Sequence, residues 1–185
     1  MKASGIVLAA VLTAAVPGPG RADDAPAATQ AVPAAFAPLA FLLGRWTGSG
    51  TSDAGAGAGG DTFALDLQGF ALVRRSHAEY PAKDGKPPVV YDALMVVYAD
   101  PGSSKLRADY FDNGHVIRYS LAPDGGPRVA RFVSDPVAGA PTFRLTYRGS
   151  PDDTTLQVTF EIAPPGSTSF AVLADGRETR VPAKP

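Results

Sequence analysis

The stretch that decides the fold is KLRADYFDNGHVIRYSLA, residues 105–122. Asn113-Gly114 stands between two runs in which apolar and polar residues alternate. That arrangement predicts a β-hairpin with a two-residue type I′ turn, because both turn positions tolerate a positive φ. The turn sets the pairing: Asp109 opposite Arg118, Tyr110 opposite Ile117, Ala108 opposite Tyr119 and Leu106 opposite Leu121. Asp109 and Arg118 form a cross-strand ion pair on the outer face. The apolar partners share the other face, so pattern and register agree. Asp112 and His115 end that inner face.

The same alternation runs through the chain on both sides. Strands are expected over Trp46–Thr51, Asp61–Leu67, Phe70–Tyr80, Val89–Ala99, Lys105–Asp112, His115–Ala122, Arg128–Ser134, Thr142–Arg148, Thr155–Ile162 and Ser169–Ala174, with a last short one over Arg177–Val181. Ser52–Gly60 (SDAGAGAGG) reads as a flexible loop. Phe36, Leu39, Leu42 and Leu43 fit a short helix over Pro38–Leu43 that stops at Gly44. No long amphipathic helix follows, which excludes parallel crossovers. Strands with one apolar and one polar face are half buried. A row of them has exposed edges unless the sheet closes. The expectation is therefore an all-β, antiparallel, up-and-down barrel of about 8–10 strands with a short N-terminal helix.

The N-terminus has another character. Lys2 precedes an uncharged apolar run, Ile6–Val16, then Pro17-Gly18-Pro19-Gly20 and small residues around Ala22. This is the layout of a cleavable secretory signal, and the run is too short to span the ~30 Å hydrocarbon core of a bilayer. Residues 1–22 are expected to be the signal, 23–37 an Ala/Pro-rich lead segment, and 38–185 one barrel domain in the periplasm or outside the cell. Removing Lys2 and Arg21 takes the formal charge from −1 to −3. That balance does not suit a nucleic-acid partner. The chain has no cysteine, which excludes disulfides, thiol nucleophiles and thiolate metal sites. No integral membrane segment is expected after cleavage.

No phosphate-binding glycine motif, nucleophile elbow or metal-ligand spacing is present, so no catalytic residue and no metal ligand is assigned. The inner-face residues Met95, Tyr110, His115, Tyr119, Phe132, Tyr147 and Phe160 are candidates for contact with a small hydrophobic or amphipathic ligand; Phe70 joins them in a wider set. They would equally fill a dry core. Asp112 beside His115 would orient its imidazole and favour the charged form. Arg118, Arg144 and Arg148 belong to the outer face, with Asp109 and Glu161. The alternation does not fix the directions of Arg74, Arg131 or His77. The residues favour a binding protein over an enzyme, with an enzyme or haem protein using His115 or His77, and a ligand-free interaction domain, as alternatives.

At Phe41-Leu42-Leu43-Gly44-Arg45-Trp46-Thr47-Gly48 the chain resembles the opening of calycin-type barrels, which include lipocalins, fatty-acid-binding proteins and nitrobindin-like haem barrels. The closest resemblance is to an uncharacterised family of exported bacterial lipocalin-like domains, with the Asp112–Ser120 hairpin and Phe160–Gly166 as further matching pieces. It covers Pro38 to Val181. The resemblance implies a barrel closed at one end by Trp46, with Gly44, Trp46, Asn113 and Gly114 in structural roles and Arg177 or Arg180 packed over the Trp. Nitrobindin-like barrels bind haem through a histidine near the C-terminus; here no histidine follows His115. The resemblance therefore implies no cofactor, and haem stays the alternative.

Overall fold

The computed structural model describes residues 31–83, 85 and 87–183. The expected signal, 1–22, and the lead as far as residue 30 lie outside them. Ten strands are seen among the described residues: β1 (Gly44–Ser52), β2 (Gly55–Asp66), β3 (Ala71–Tyr80), β4 (Val89–Ala99), β5 (Leu106–Phe111), β6 (Val116–Leu121), β7 (Val129–Ser134), β8 (Thr142–Gly149), β9 (Thr155–Ala163) and β10 (Ala171–Val181). Each pairs antiparallel with its neighbours in sequence, and β1 pairs with β10, so the sheet is a closed up-and-down barrel. Closure removes the free edges that ten half-buried strands would otherwise expose. The expected fold class is the observed one.

The 105–122 hairpin has the predicted register, with Asp109 opposite Arg118, Tyr110 opposite Ile117 and Ala108 opposite Tyr119. Its turn is not type I′, because neither Asn113 nor Gly114 takes a positive φ. The Asp112 carboxylate is the reason. Its Oδ1 accepts the backbone N–H groups of Gly114 at 3.2 Å and His115 at 2.9 Å. Such a side-chain bond to the backbone offers another way to turn the chain. The Asn113 amide reaches across to donate to the Val90 carbonyl at 2.9 Å, tying this loop to β4.

The largest correction concerns Ser52–Gly60. The expected loop is the end of β1, a two-residue turn at Asp53-Ala54, and the first half of β2. The glycines are there because neighbouring strands come too close for side chains. A Cβ on Gly48 would run into the Arg177 carbonyl oxygen, one on Gly59 into that of His77, and one on Gly60 into that of Trp46. Close backbone approach, not flexibility, accounts for this composition. The two strands expected over 169–181 are one, β10, with a register irregularity between Val172 and Ala174. Phe70 follows a tight turn in which Leu67 and Gln68 have positive φ, and it lies outside β3, mostly exposed to water. It contributes nothing to the interior.

The N-terminal helix is a 3-10 helix over Ala34–Leu42, so it begins inside the stretch read as lead. Its apolar positions Phe36, Leu39 and Leu42 repeat every three residues, the period of this helix type. All three are buried, and they plug one end of the barrel. Behind them Trp46 is 3% exposed, and its indole Nε1 donates to the Leu42 carbonyl at 2.7 Å. Gly44, at the junction, has a φ of +120°, a conformation that a side chain would strain. Above Trp46, Phe63, Leu72, Val97, Phe132 and Leu156 form a dry layer. Tyr147 meets Phe63 and Phe132 edge-on at 5.4 and 6.4 Å between ring centroids.

Arg180 locks this end. Of the two arginines the resemblance pointed to, it is the one over the Trp46 ring, 4.1 Å from the centroid. It donates to the carbonyls of Leu43 (2.5 Å), Phe41 (2.9 Å) and Asp153 (2.7 Å). The last strand is thereby tied to the helix and to the β8–β9 turn. The outer face carries the expected ion pairs: Arg144 grips Glu161 with two bonds of 2.6 Å, and Asp109–Arg118 is 3.9 Å. Arg131 also points outward, to Asp124 at 2.6 Å.

Replacing Arg180 by Ala leaves three carbonyls without their donor and uncovers the indole. We expect unfolding in urea to show a loss of about 2–4 kcal/mol. Arg180→Lys should recover little of it, because an ammonium cannot serve three acceptors while lying flat on a ring.

Candidate functional site

The other half of the barrel is hollow. A cavity of about 480 Å³ opens between the β1–β2, β3–β4 and β5–β6 turns. That volume suits a small molecule. Its shape follows from residue size. On one side β1, β2, β3, β4 and β10 present glycine, alanine and serine, among them Gly50, Gly57, Ala78, Ala93 and Gly176. On the opposite side stand Ile117, Phe143, Leu145, Val158 and Phe160, with Phe143 and Phe160 stacked at 5.7 Å. Where the facing wall carries mostly small side chains or none, the large residues cannot fill the space.

The floor is polar. Arg74 from β3 turns inward, the direction its alternation had left open, and is 7% exposed. Its Nε donates to Asp61 Oδ2 of β2 at 2.9 Å and its Nη2 to Ser76 at 3.0 Å. Its guanidinium lies 5.6 Å from the centre of the Tyr147 ring. Burial works against the Arg74 charge, but the Asp61 carboxylate outweighs it and the guanidinium is held more firmly protonated than usual. Glu178 of β10 lines the same floor. Burial, and then the nearby Asp61 charge, push its carboxyl up to about 8, while Arg74 pulls the other way. Burial likewise raises Tyr110, Tyr119 and Tyr147 above the ordinary phenol range. Four side-chain atoms here have no hydrogen-bond partner: Asp61 Oδ1, Glu178 Oε2 and the hydroxyls of Tyr119 and Tyr147.

Of the residues singled out from the sequence, Tyr110, His115 and Phe160 line the cavity. Met95, Tyr119, Phe132 and Tyr147 also face inward, but they are fully buried in the packed layers at and below the floor. His115 is at the rim, its Nδ1 2.8 Å from Asp112 Oδ1 and its side chain 74% exposed. His77 points to the outer face of β3, where it lies between Asp92 (2.8 Å) and Glu79 (3.0 Å), half exposed, and the hydrogen bonds it donates to these carboxylates raise its pKa. A haem in the cavity would need an axial ligand reaching inward, and neither His77 on the outer face nor His115 at the rim, both open to water and engaged by carboxylates, fits that role. Among the described residues no cluster of three metal-ligating side chains occurs.

Asp61, Glu178 and the glycine wall escaped the sequence reading. Asp61 was legible in principle: it alternates with Phe63 and Leu65, so the apolar face of β2 carries one charge. Glu178 shares a face with Arg180, two residues on. In both cases a charged residue on an inward face was the signal.

No protein-family profile matches the chain. No curated protein matches it in sequence. Among solved structures it is similar to Rv2717c from M. tuberculosis, with a TM-score of 0.56 and 13% identity over 82% of this chain and 99% of that one. It also resembles an S-type phycobiliprotein lyase, CPES, from Guillardia theta, with a TM-score of 0.44 and 11% identity over 78% and 90% of the two chains. The first likeness is one of fold alone, a closed antiparallel barrel.

The floor has a pH signature. An unfolded chain ionises Glu178 near 4.5, the native barrel near 8. Between those values the native state holds a proton that the unfolded state has released, so stability falls as pH rises through this window and levels off above it. Thermal melts of Glu178→Gln, set against the unaltered chain, should show that part of the slope gone.

Proposed function

We propose that this chain is an exported carrier that holds a small amphipathic molecule in the open half of the barrel. One observation carries the reading: a closed barrel whose core is packed at one end and hollow at the other, with apolar walls above a polar floor. A solid core would need no glycine wall, and buried polar atoms without partners are costly where nothing meets them. The apolar part of a ligand would lie against Phe143, Phe160 and Val158, and its polar group would meet Glu178, Arg74 and Tyr110. Entry is past the rim at Asp53, Tyr91 and His115. The N-terminal signal pattern supports export, and a carrier working outside the cytoplasm is consistent with a chain free of thiols. The site holds no nucleophile paired with a base, so binding is the function it supports.

Native mass spectrometry on protein purified without detergent tests this directly. A fraction should carry a small-molecule adduct that solvent extraction removes. Ala93→Phe places a ring in the cavity and should weaken re-uptake at least about tenfold, or ~1.4 kcal/mol, with folding preserved. A bare polypeptide mass in every preparation, together with no uptake of added decanol, would sink the proposal.

A further inference from the structure

The charges around the cavity are unequal. The carboxyl groups turned toward it are those of Asp53 and Asp112 at the rim and of Glu178 on the floor, against one arginine, Arg74, and the rim histidine His115. Arg74 is already matched. Asp61 stands behind it at 2.9 Å with only 1% of its side chain exposed, so the pair contributes little net charge to the space in front. Asp53 stands exposed in the β1–β2 turn, and Asp112 is occupied by its own turn and by His115. Glu178 is left. It lies on the floor, its Oε2 is buried, and no protein group bonds to that oxygen. Its strand neighbours offer nothing ionisable: Gly48 is opposite it on β1 and Leu156 on β9. Across the interior the groups acting on it are Asp61, Arg74 and the Tyr147 hydroxyl.

Resting on the carrier reading, we infer that the ligand is an organic cation, a protonated amine on an apolar body, and that Glu178 is the counter-ion that receives its head group. An anion would find its one attractive partner, Arg74, already neutralised and Glu178 beside it. A cation gains from the carboxylate that Glu178 becomes on losing its proton, which no protein cation matches, and from the electron-rich faces of the aromatic wall. The step has a definite proton balance. In the empty barrel Glu178 is protonated at neutral pH. When the ammonium binds, the carboxyl gives its proton to the solvent and an ion pair replaces a neutral acid. The ligand keeps its own proton. Binding therefore strengthens as pH rises through neutrality.

Three probes with the same tail and different heads separate the ideas: decylammonium, decanol and decanoate, titrated calorimetrically into the unaltered protein. At pH 7 decylammonium should bind about tenfold tighter than decanol, with decanoate weakest. Repeating the titration in two buffers of different ionisation enthalpy should show about one proton released per decylammonium bound and none per decanol. In Glu178→Gln the ratio of decylammonium to decanol affinity should fall to about one, and the proton release should vanish. The release is measured on the unaltered chain, so the test survives if the variant folds poorly. Equal binding of decylammonium and decanol, tightest binding of decanoate, or no proton release would each overturn the inference and leave the carrier intact. Failure of all three probes to bind would overturn the carrier reading as well.

Discussion

The interaction on which the rest of the structure depends is the pairing of the first strand with the last. Eight residue pairs, from Arg45 with Val181 to Ser52 with Ala174, join β1 to β10. Without that seam the molecule would be a long sheet with two bare edges and an apolar face in water. With it, every inward position is enclosed, and side-chain size decides what the enclosure contains. The seam also brings Trp46, at the start of the barrel, under Arg180, at its end. Chain closure and end closure are thus one event, and the 3-10 helix seals what the two residues begin.

Inside, two regimes share a boundary. Toward the helix, Phe63, Phe132, Leu72 and Leu156 fill the section completely. Toward the opposite mouth, glycines and alanines on half the wall leave the aromatic residues of the other half facing a gap. The boundary is the Asp61–Arg74 pair with Glu178. A buried ion pair is a poor way to gain stability, and an additional carboxyl beside it makes matters worse. Its position at the base of the only hollow part of the described interior ties that cost to binding, and the stable half of the barrel carries it.

Much of the fold was written in the alternation of residue types. The register of the Asn113-Gly114 hairpin, the span of β4, the outward ladder of Arg118 and Arg144, and the covering of Trp46 by a C-terminal arginine all followed from local pattern or resemblance. What could not be read locally was how close two backbones would come. Gly55–Gly60 looks like slack chain in one dimension, and only the neighbouring strands show that side chains would collide there. The turn was missed for a similar reason: Asp112 competes with the intrinsic preference of Asn-Gly by offering its own carboxylate. Of the cavity residues, the aromatic ones were visible because apolar residues mark inward faces. Asp61 and Glu178 were not, because charges are ordinarily assigned to water. The direction of Arg74 was settled by a partner 13 positions earlier on a strand that had been read only in part.

The glycine wall has a bearing on how such a binder can change. A pocket bounded by side chains can be widened by trimming them or narrowed by extending them. Along β1, β2 and β10 there is nothing to trim at Gly48, Gly50, Gly57, Gly59 or Gly176, and additions at the first four strike a neighbouring strand or side chain. Divergence toward new ligands is thereby barred along β1 and β2 and left to positions that carry side chains, above all Ile117, Phe143, Val158 and Phe160 opposite, which can be exchanged for shorter or longer residues. One flank of the barrel is a fixed mould, and the other is where selection has room to work.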